Sequence, residues 1–400
     1  MLLENKTILL GVSGSIAAYK AAALASRLTQ QGAAVHTLLT ANGAQFISPV
    51  TFEGVTGQKC VTDTFDRNFQ YSVEHVALAK QADLVLVAPA TANVIAKLAH
   101  GLADDMLTTT VLACRCPKIV APAMNTGMYE NPVTQDNLEI LRKYGWTVVE
   151  PANGRLACGD TGAGKFPEPD QLAAHVLLAI AEEKDMAGLQ VLVTAGPTQE
   201  PLDPVRFLTN HSTGRMGYAM ARNAACRGAS VTLVTGPTSL EPPLGVRVIR
   251  VRTAGEMFQA VAAAAPAQDM LAFAAAVADY RPAQVSGEKI KKSAGVLGEI
   301  PLSPTRDILQ YTGDHKRPGQ LLCGFSMETH DLLENSRKKL EKKHADLIAA
   351  NNLKVPGAGF ATETNVMTLL TRGGTEELPL LSKYQAAGRI WTKLLSLRHT

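Results

Sequence analysis

The feature that most constrains this chain is that it begins twice. Residues Thr7 to Gly11 form a short apolar run that ends in the turn Gly11-Val-Ser-Gly-Ser15. A helical segment over 16–31 and a second apolar run over 35–39 follow. The same order returns at Val191-Leu-Val-Thr194, which Gly196 and Pro197 stop. A polar loop, a helical segment from Gly214 to Gly228 and a strand over 230–235 come next. β-branched apolar runs broken by Gly and Pro read as buried strands. Strand, ligand-facing loop, helix and strand open a doubly wound nucleotide-binding domain. The expectation is an α/β protein of two such domains, 1–188 and 189–400, with the polar stretch 183–188 as linker.

Composition narrows the partners. Four hundred residues suffice for two domains, each with a sizeable core. The net charge of +3 gives no electrostatic case for nucleic acid or an anionic membrane. No apolar run approaches the roughly 18 residues of a membrane span, and the first residues lack a signal-peptide pattern. A cytoplasmic location is expected. The cysteines, 60, 114, 116, 158, 226 and 323, show no Cys-x-x-Cys spacing, which argues against a zinc site or a disulfide framework. Cys158 stands apart in the Gly-rich stretch Asn153 to Lys165, while the others read as small core residues.

The first turn fails as a dinucleotide fingerprint. Ser13 and Ile16 stand where further glycines belong, and Thr40 ends the second strand where an acid would hold a ribose. Ser13, Gly14 and Ser15 at a helix N-terminus still suit one phosphate, which favours a mononucleotide of the FMN type over NAD. A plain tight turn is the alternative. A third strand, Asp83 to Pro89, is continuously apolar after its first residue and therefore central and parallel. It delivers Thr91 and Asn93 to the carboxyl edge of the sheet, where such folds bind ligands. A fourth, Lys118 to Pro122, brings Ala123, Met124 and Asn125 to the same edge. His75, before the apolar stripe Val76 to Leu78, reads as a cap, a surface residue or a functional group.

In the second half the alternation predicts strands at 189–194, 246–251 and 270–277, with Thr253 to Glu256 as a capping box for a helix over 254–265. Lys289 and Lys291 would share a strand face in Glu288-Lys-Ile-Lys-Lys292. Like charges so close suit a triphosphate, and an exposed basic loop is the bland alternative. Lys339 and Lys343 lie four apart on a helix predicted over 331–343. A hairpin over 365–381 and a helix over 382–397 close the chain.

Several stretches together resemble a known family. Gly-Val-Ser-Gly-Ser-Ile-Ala-Ala-Tyr-Lys, Ala-Pro-Ala-Thr-Ala-Asn, Pro-Ala-Met-Asn-x-x-Met and Ala-Cys-Gly-Asp-x-Gly are similar to the cysteine-decarboxylating flavoproteins. Thr-Ala-Gly-Pro-Thr, Leu-Asp-Pro-Val-Arg-Phe, Asn-His-Ser-x-Gly-x-Met-Gly, Ala-Ala-Val-Ala-Asp-Tyr and Lys-Ile-Lys-Lys continue the likeness. In order and spacing the whole chain resembles the bacterial bifunctional phosphopantothenoylcysteine decarboxylase/phosphopantothenate–cysteine ligases of coenzyme A synthesis.

That resemblance implies a flavodoxin-like flavoprotein domain followed by a ribokinase/Rossmann-like ligase domain. It implies FMN at Gly14, Ser15, Thr40, Thr91, Asn93, Ala123 and Met124. The family's chemistry takes hydride from the thiol-bearing carbon of an acylated cysteine, so that CO₂ can leave as an enethiolate forms. His75 would be the active-site base, Asn125 would bind the departing carboxylate, and Cys158, on a mobile flap, would donate the closing proton. In the ligase half, CTP and Mg²⁺ would activate 4′-phosphopantothenate as an acyl-cytidylate for attack by cysteine. Lys289 would serve the activation step and Asn210 would hold the acyl-cytidylate carbonyl. Ala274, Ala275, Asp279, Asp307, Ile308, Phe325, Lys339 and Lys343 would line the CTP site, with Asp279 near base or metal.

Two positions depart from the family pattern: Thr305-Arg306 where Asn-Pro is usual, and Ser326-Met327 in the Phe-Ala-x-Glu-Thr pattern. Trimers of the first domain and dimers of the second would close into a homododecamer. An NAD(P)-linked oxidoreductase is the rival within enzymes, and a regulatory flavoprotein subunit the rival outside them.

Overall fold

The computed structural model describes residues 1–65, 74–290, 299–328, 332–352, 362 and 364–399. The chain divides into two compact units, Met1–Glu182 and Glu183–Thr400. The stretch 183–188 packs on the second: Met186 is fully buried and donates its amide to the Arg227 carbonyl, and Arg227 pairs with Asp185.

The first unit runs β1 (Thr7–Val12), α1 (Ala18–Gln30), β2 (Ala34–Leu39), α2 (Pro49–Thr56), α3 (Glu74–Gln81), β3 (Leu84–Ala90), α4 (Ala92–His100), α5 (Met106–Ala113) and β4 (Lys118–Pro122). It continues through α6 (Thr126–Tyr129), α7 (Pro132–Lys143), β5 (Thr147–Val148), β6 (Ala152–Arg155), β7 (Thr161–Lys165) and α8 (Pro169–Ile180). Five parallel strands lie in the order β2-β1-β3-β4-β5, which is the flavodoxin order. Alternation along each strand feeds two cores. Ile8, Leu10, Leu84, Leu86 and Ile119 meet Leu24, Leu28 and Val176 of α1 and α8. Leu9, Val85, Val87 and Val120 meet Ile95, Leu107, Val111 and Leu138 of α4, α5 and α7. Helices on both faces are why β3 is buried at every position.

The second unit opens with β8 (Gln190–Ala195), the antiparallel pair β9 (Gln199–Pro201) and β10 (Phe207–Thr209), α9 (Arg215–Cys226), β11 (Ser230–Thr235) and β12 (Val246–Arg250). Then come α10 (Ala254–Ala264), β13 (Met270–Phe273), the antiparallel pair β14 (Tyr280–Pro282) and β15 (Leu302–Pro304), α11 (Ile308–Asp314) and β16 (Leu321–Glu328). α12 (Leu332–Lys342), β17 (Leu347–Asn352), β18 (Thr364–Asn365), β19 (Met367–Thr371), β20 (Gly374–Glu377), β21 (Leu381–Ser382) and α13 (Lys383–Ser396) complete it. The large sheet has the order β12-β11-β8-β13-β16-β17-β19-β20. Its first six strands are parallel and read third-second-first-fourth-fifth-sixth, the Rossmann order, and the last two form an antiparallel hairpin. Trp391 of α13 is fully buried and donates its indole N–H to the Met220 carbonyl of α9.

Two expectations change. The strand predicted over 270–277 stops at Phe273, because side chains take over its ladder. Thr194 Oγ1 accepts the Ala275 amide, Thr198 Oγ1 accepts that of Ala278, and Asn210 Nδ2 donates to the Val277 carbonyl. The capping box before α10 is displaced: Thr253 accepts the Glu256 amide, but Glu256 reaches the Arg252 amide and not that of Thr253. Among the described residues, no helix is long and apolar enough to cross a membrane.

Candidate active sites

In the first unit the strand order reverses between β1 and β3, and the site residues gather outside their carboxyl ends. Ser13 is fully buried; its hydroxyl donates to the Pro89 carbonyl and accepts the Thr91 amide at 3.0 Å. This ties the turn after β1 to the start of α4, where Thr91 caps by accepting the Val94 amide. Thr40 joins the same edge by donating its amide to the Val12 carbonyl, and its hydroxyl accepts the Gly43 amide. A Cβ on Gly14 would come within 2.6 Å of the Asn42 Cβ, so the turn requires glycine there. Ser15 Oγ lies 3.5 Å from the Ala123 carbonyl, and Met124 donates its amide to the Gly164 carbonyl of β7. Asn93 is exposed in the first turn of α4.

Asn125 and Cys158 meet, although they come from different elements. Asn125 caps α6 through Oδ1, which accepts the Gly127 amide at 2.8 Å. Its Nδ2 then faces Cys158 Sγ at 3.5 Å and Asp160 Oδ2 at 3.2 Å. Cys158 Sγ donates to that same Asp160 oxygen at 3.3 Å. The Gly-rich stretch read as a flap is an antiparallel hairpin, β6–β7, anchored by Thr126 Oγ1 donating to the Ala163 carbonyl. His75 is the second residue of α3, and among the described residues no hydrogen bond links it to Asn125 or Cys158.

In the second unit the order reverses between β8 and β13. A cleft of about 420 Å³ opens there, lined among others by Ala275, Asp279, Asp307, Ile308, Phe325, Lys339 and Lys343. Ala274 lines an adjoining groove that shares Ala275 and Phe325 with the cleft and begins at Ser212 to Met216. Lys343 pairs with Asp307, and Lys339 Nζ donates to the Phe325 carbonyl at 2.7 Å. Burial pushes the Asp307 carboxyl up, but Lys343 and the Gln310 amide outweigh it and hold the group below the usual carboxylate range. Among the described residues, no group of three His, Cys, Asp or Glu side chains could hold a metal. Thr305 is built into the cleft wall, donating its hydroxyl to the Ala278 carbonyl and its amide to the Asp279 carbonyl. Arg306 stacks 4.9 Å over Phe258.

Lys289 is exposed in a loop, not on a strand, because the backbone at Ile290 is claimed by side chains. The Ile290 amide donates to Asp203 Oδ2, and its carbonyl accepts Arg206 Nη2 at 2.7 Å. Lys291 lies outside the described residues. Asp203 is buried and also accepts the Val205 and Arg206 amides. Burial alone would raise its carboxyl, yet Arg206 and these amides hold it well below the usual range. A lowered folded-state value means that this contribution to stability is complete above about pH 4 and is lost as pH falls. Thermal melts taken from pH 6 down to pH 3 should therefore fall more steeply for the wild type than for Asp203→Asn.

Sequence reasoning missed Asp160 and the Asp203–Arg206 clamp as site features. All three stood inside motifs already read, Ala-Cys-Gly-Asp-x-Gly and Leu-Asp-Pro-Val-Arg-Phe, but only as motif positions without a role.

Known proteins place this architecture. The Flavoprotein family model matches residues 2–180, and the model described as DNA/pantothenate metabolism flavoprotein C-terminal domain matches 186–397. The coenzyme A biosynthesis bifunctional protein CoaBC of Bacillus subtilis (strain 168) is 44% identical over 400 residues, 99% of this chain and 98% of its own length. That of Vibrio cholerae serotype O1 is 44% identical over 389 residues, 97% of each chain. A crystal structure of the C-terminal domain of a CoaBC protein is 40% identical, covering 54% of this chain and 98% of its own, with a TM-score of 0.46. With near-complete coverage at this identity, the chain belongs to the CoaBC family of bifunctional coenzyme A biosynthesis proteins, a flavoprotein unit followed by a pantothenate-metabolism unit.

Proposed function

We propose that this chain is a cytoplasmic two-site enzyme. Its second unit joins cysteine to 4′-phosphopantothenate using CTP, and its first decarboxylates the product to 4′-phosphopantetheine. The observation that carries this reading is the meeting of Asn125 and Cys158 at the switch point of a flavodoxin-order sheet.

The residues at that edge fit FMN. The turn over 13–15 combines hydroxyls with a glycine whose Cβ would collide with Asn42, next to Thr40, Thr91, Ala123 and Met124, while Asn93 lies in the first turn of α4. When bound, FMN would supply the hydride acceptor and donor that an unactivated cysteine carboxylate lacks. The chain supplies orientation and protons. The Asn125 amide presents N–H to the substrate carboxylate, and Cys158 presents S–H to the carbon left after CO₂ departs. His75 serves as base toward the substrate thiol, on the strength of the family resemblance.

In the second unit the cleft fits a nucleotide triphosphate. Lys339 and Lys343 face it, Lys289 stands on a loop held by Asp203 and Arg206, and Asn210 is fixed beside the Ala276–Val277 backbone. Phosphates would attract Lys343 away from Asp307 and spread their charge over the lysines. A magnesium ion would take most of its ligands from the phosphates, with Asp279 as its one protein carboxylate. We place the family's trimeric and dimeric contacts, and the dodecamer they close, in the same reading.

The test is a mass spectrum of products after the flavin-loaded protein meets 4′-phosphopantothenate, cysteine, CTP and magnesium. 4′-Phosphopantetheine is expected. Intact CTP with no coupled product would overturn the reading of the second unit, and accumulated phosphopantothenoylcysteine that of the first.

A further inference from the structure

Building on that reading, we infer that the Asp160 carboxylate holds the place of the substrate carboxylate on Asn125 and yields it when substrate binds. The Asn125 amide is oriented unambiguously, because its Oδ1 is taken by the Gly127 amide. Its outward Nδ2 is the donor that a substrate carboxylate would use, and here it donates to Asp160 Oδ2 at 3.2 Å. Two carboxylates within reach of one amide repel each other, so one displaces the other. Asp160 is exposed, so no packed side chain confines its carboxylate to that position. The turn it ends is closed by the Leu156 amide on the Asp160 carbonyl at 2.8 Å and the Gly159 amide on the Leu156 carbonyl at 3.0 Å. Cys158 lies inside that turn and donates its S–H to the same Asp160 oxygen, so the two residues move as one piece.

The exchange orders the reaction. While the substrate carboxylate sits on Asn125, Asp160 is held off and takes Cys158 with it. Once CO₂ has left, its bonding electron pair remaining on the substrate as an enethiolate, the competing charge is gone. Asp160 then returns to Asn125 and brings the Cys158 S–H back to the carbon that needs a proton. Asp160 is thus a positioning residue acting through Asn125 and Cys158, and it spares the thiol until decarboxylation is complete.

The experiment compares wild type and Asp160→Asn, both flavin-loaded, by calorimetric titration with two ligands. One is 4′-phosphopantothenoylserine, which keeps the carboxylate but has a hydroxyl for the thiol. The other is 4′-phosphopantetheine, which has no carboxylate. Removing the competing charge should tighten the first roughly three- to fivefold, the scale of an exposed charge contact, and leave the second unchanged. Equal weakening of both would mark Asp160 as merely structural and overturn the inference, as would no change in either. Wild type that binds neither ligand would instead sink the decarboxylase reading, and the inference with it. Asp160→Ala, which lacks both charge and amide, should show the same selectivity for the carboxylate ligand.

Discussion

Cys158→Ala is expected to lower formation of 4′-phosphopantetheine by about 10³, within the range for losing a positioned proton donor, while CTP-dependent ligation continues unchanged. The reasoning is local. Cys158 is exposed at the tip of the β6–β7 hairpin, and its S–H faces Asp160. The group beside it, the Asn125 side chain, is a neutral amide that can hold a carboxylate but cannot give up a proton at neutral pH. Alanine therefore removes the acid without touching the groups that orient substrate. CO₂ loss should still occur in a single turnover. A decarboxylated species lighter than 4′-phosphopantetheine by one hydride and one proton should accumulate in the mass spectrum. Full yield of 4′-phosphopantetheine from the variant would show that the closing proton comes from elsewhere.

Much of this was legible in the chain, for a physical reason. A parallel strand covered on both faces reads as a nearly continuous apolar run, so β1, β3, β8 and β11 announce themselves, and β11 falls over 230–235 as expected. The edges these strands feed were legible for the same reason. Ser15, Thr91, Ala123 and Asn125 follow directly on strands whose positions are fixed. Seven of the eight residues expected around CTP line one cleft, with Ala274 in the adjoining groove.

What stayed hidden depends on side chains that bond to backbone far away in sequence. The apolar run 270–277 is continuous in hydrophobicity, yet Thr194, Thr198 and Asn210 divert its second half into the cleft wall. Period alone would put Lys289 on a strand face, but Asp203 and Arg206, more than 80 residues earlier, bind the peptide of Ile290. The hairpin carrying Cys158 is rich in glycine, so its ladder has no apolar alternation to betray it. Ser326, one of the departures from the family pattern, is buried with its hydroxyl unbonded among the described residues, and the structure offers no reason for it.

The hairpin's dependence on glycine leads to the second large effect. Gly164→Ala should abolish decarboxylation and leave the ligase intact. Gly164 has φ +121°, a conformation that a residue with a Cβ adopts only under strain. An added Cβ would also stand 2.3 Å from the Met124 carbonyl oxygen, a backbone atom that no rotamer change can move away. Strain and overpacking each cost about 1–3 kcal/mol, so the substitution is far more easily relieved by lifting β7 off the end of β4 than by absorbing it. Lifting β7 breaks the bond between the Met124 amide and the Gly164 carbonyl, and that between Thr126 Oγ1 and the Ala163 carbonyl. Those two bonds hold Cys158 against Asn125, so the proton donor and the carboxylate site separate together. Phosphopantothenoylcysteine should then accumulate in the coupled assay with CTP consumed normally. A variant that melts like wild type and still releases 4′-phosphopantetheine would mean that the hairpin closes over the site without this anchor.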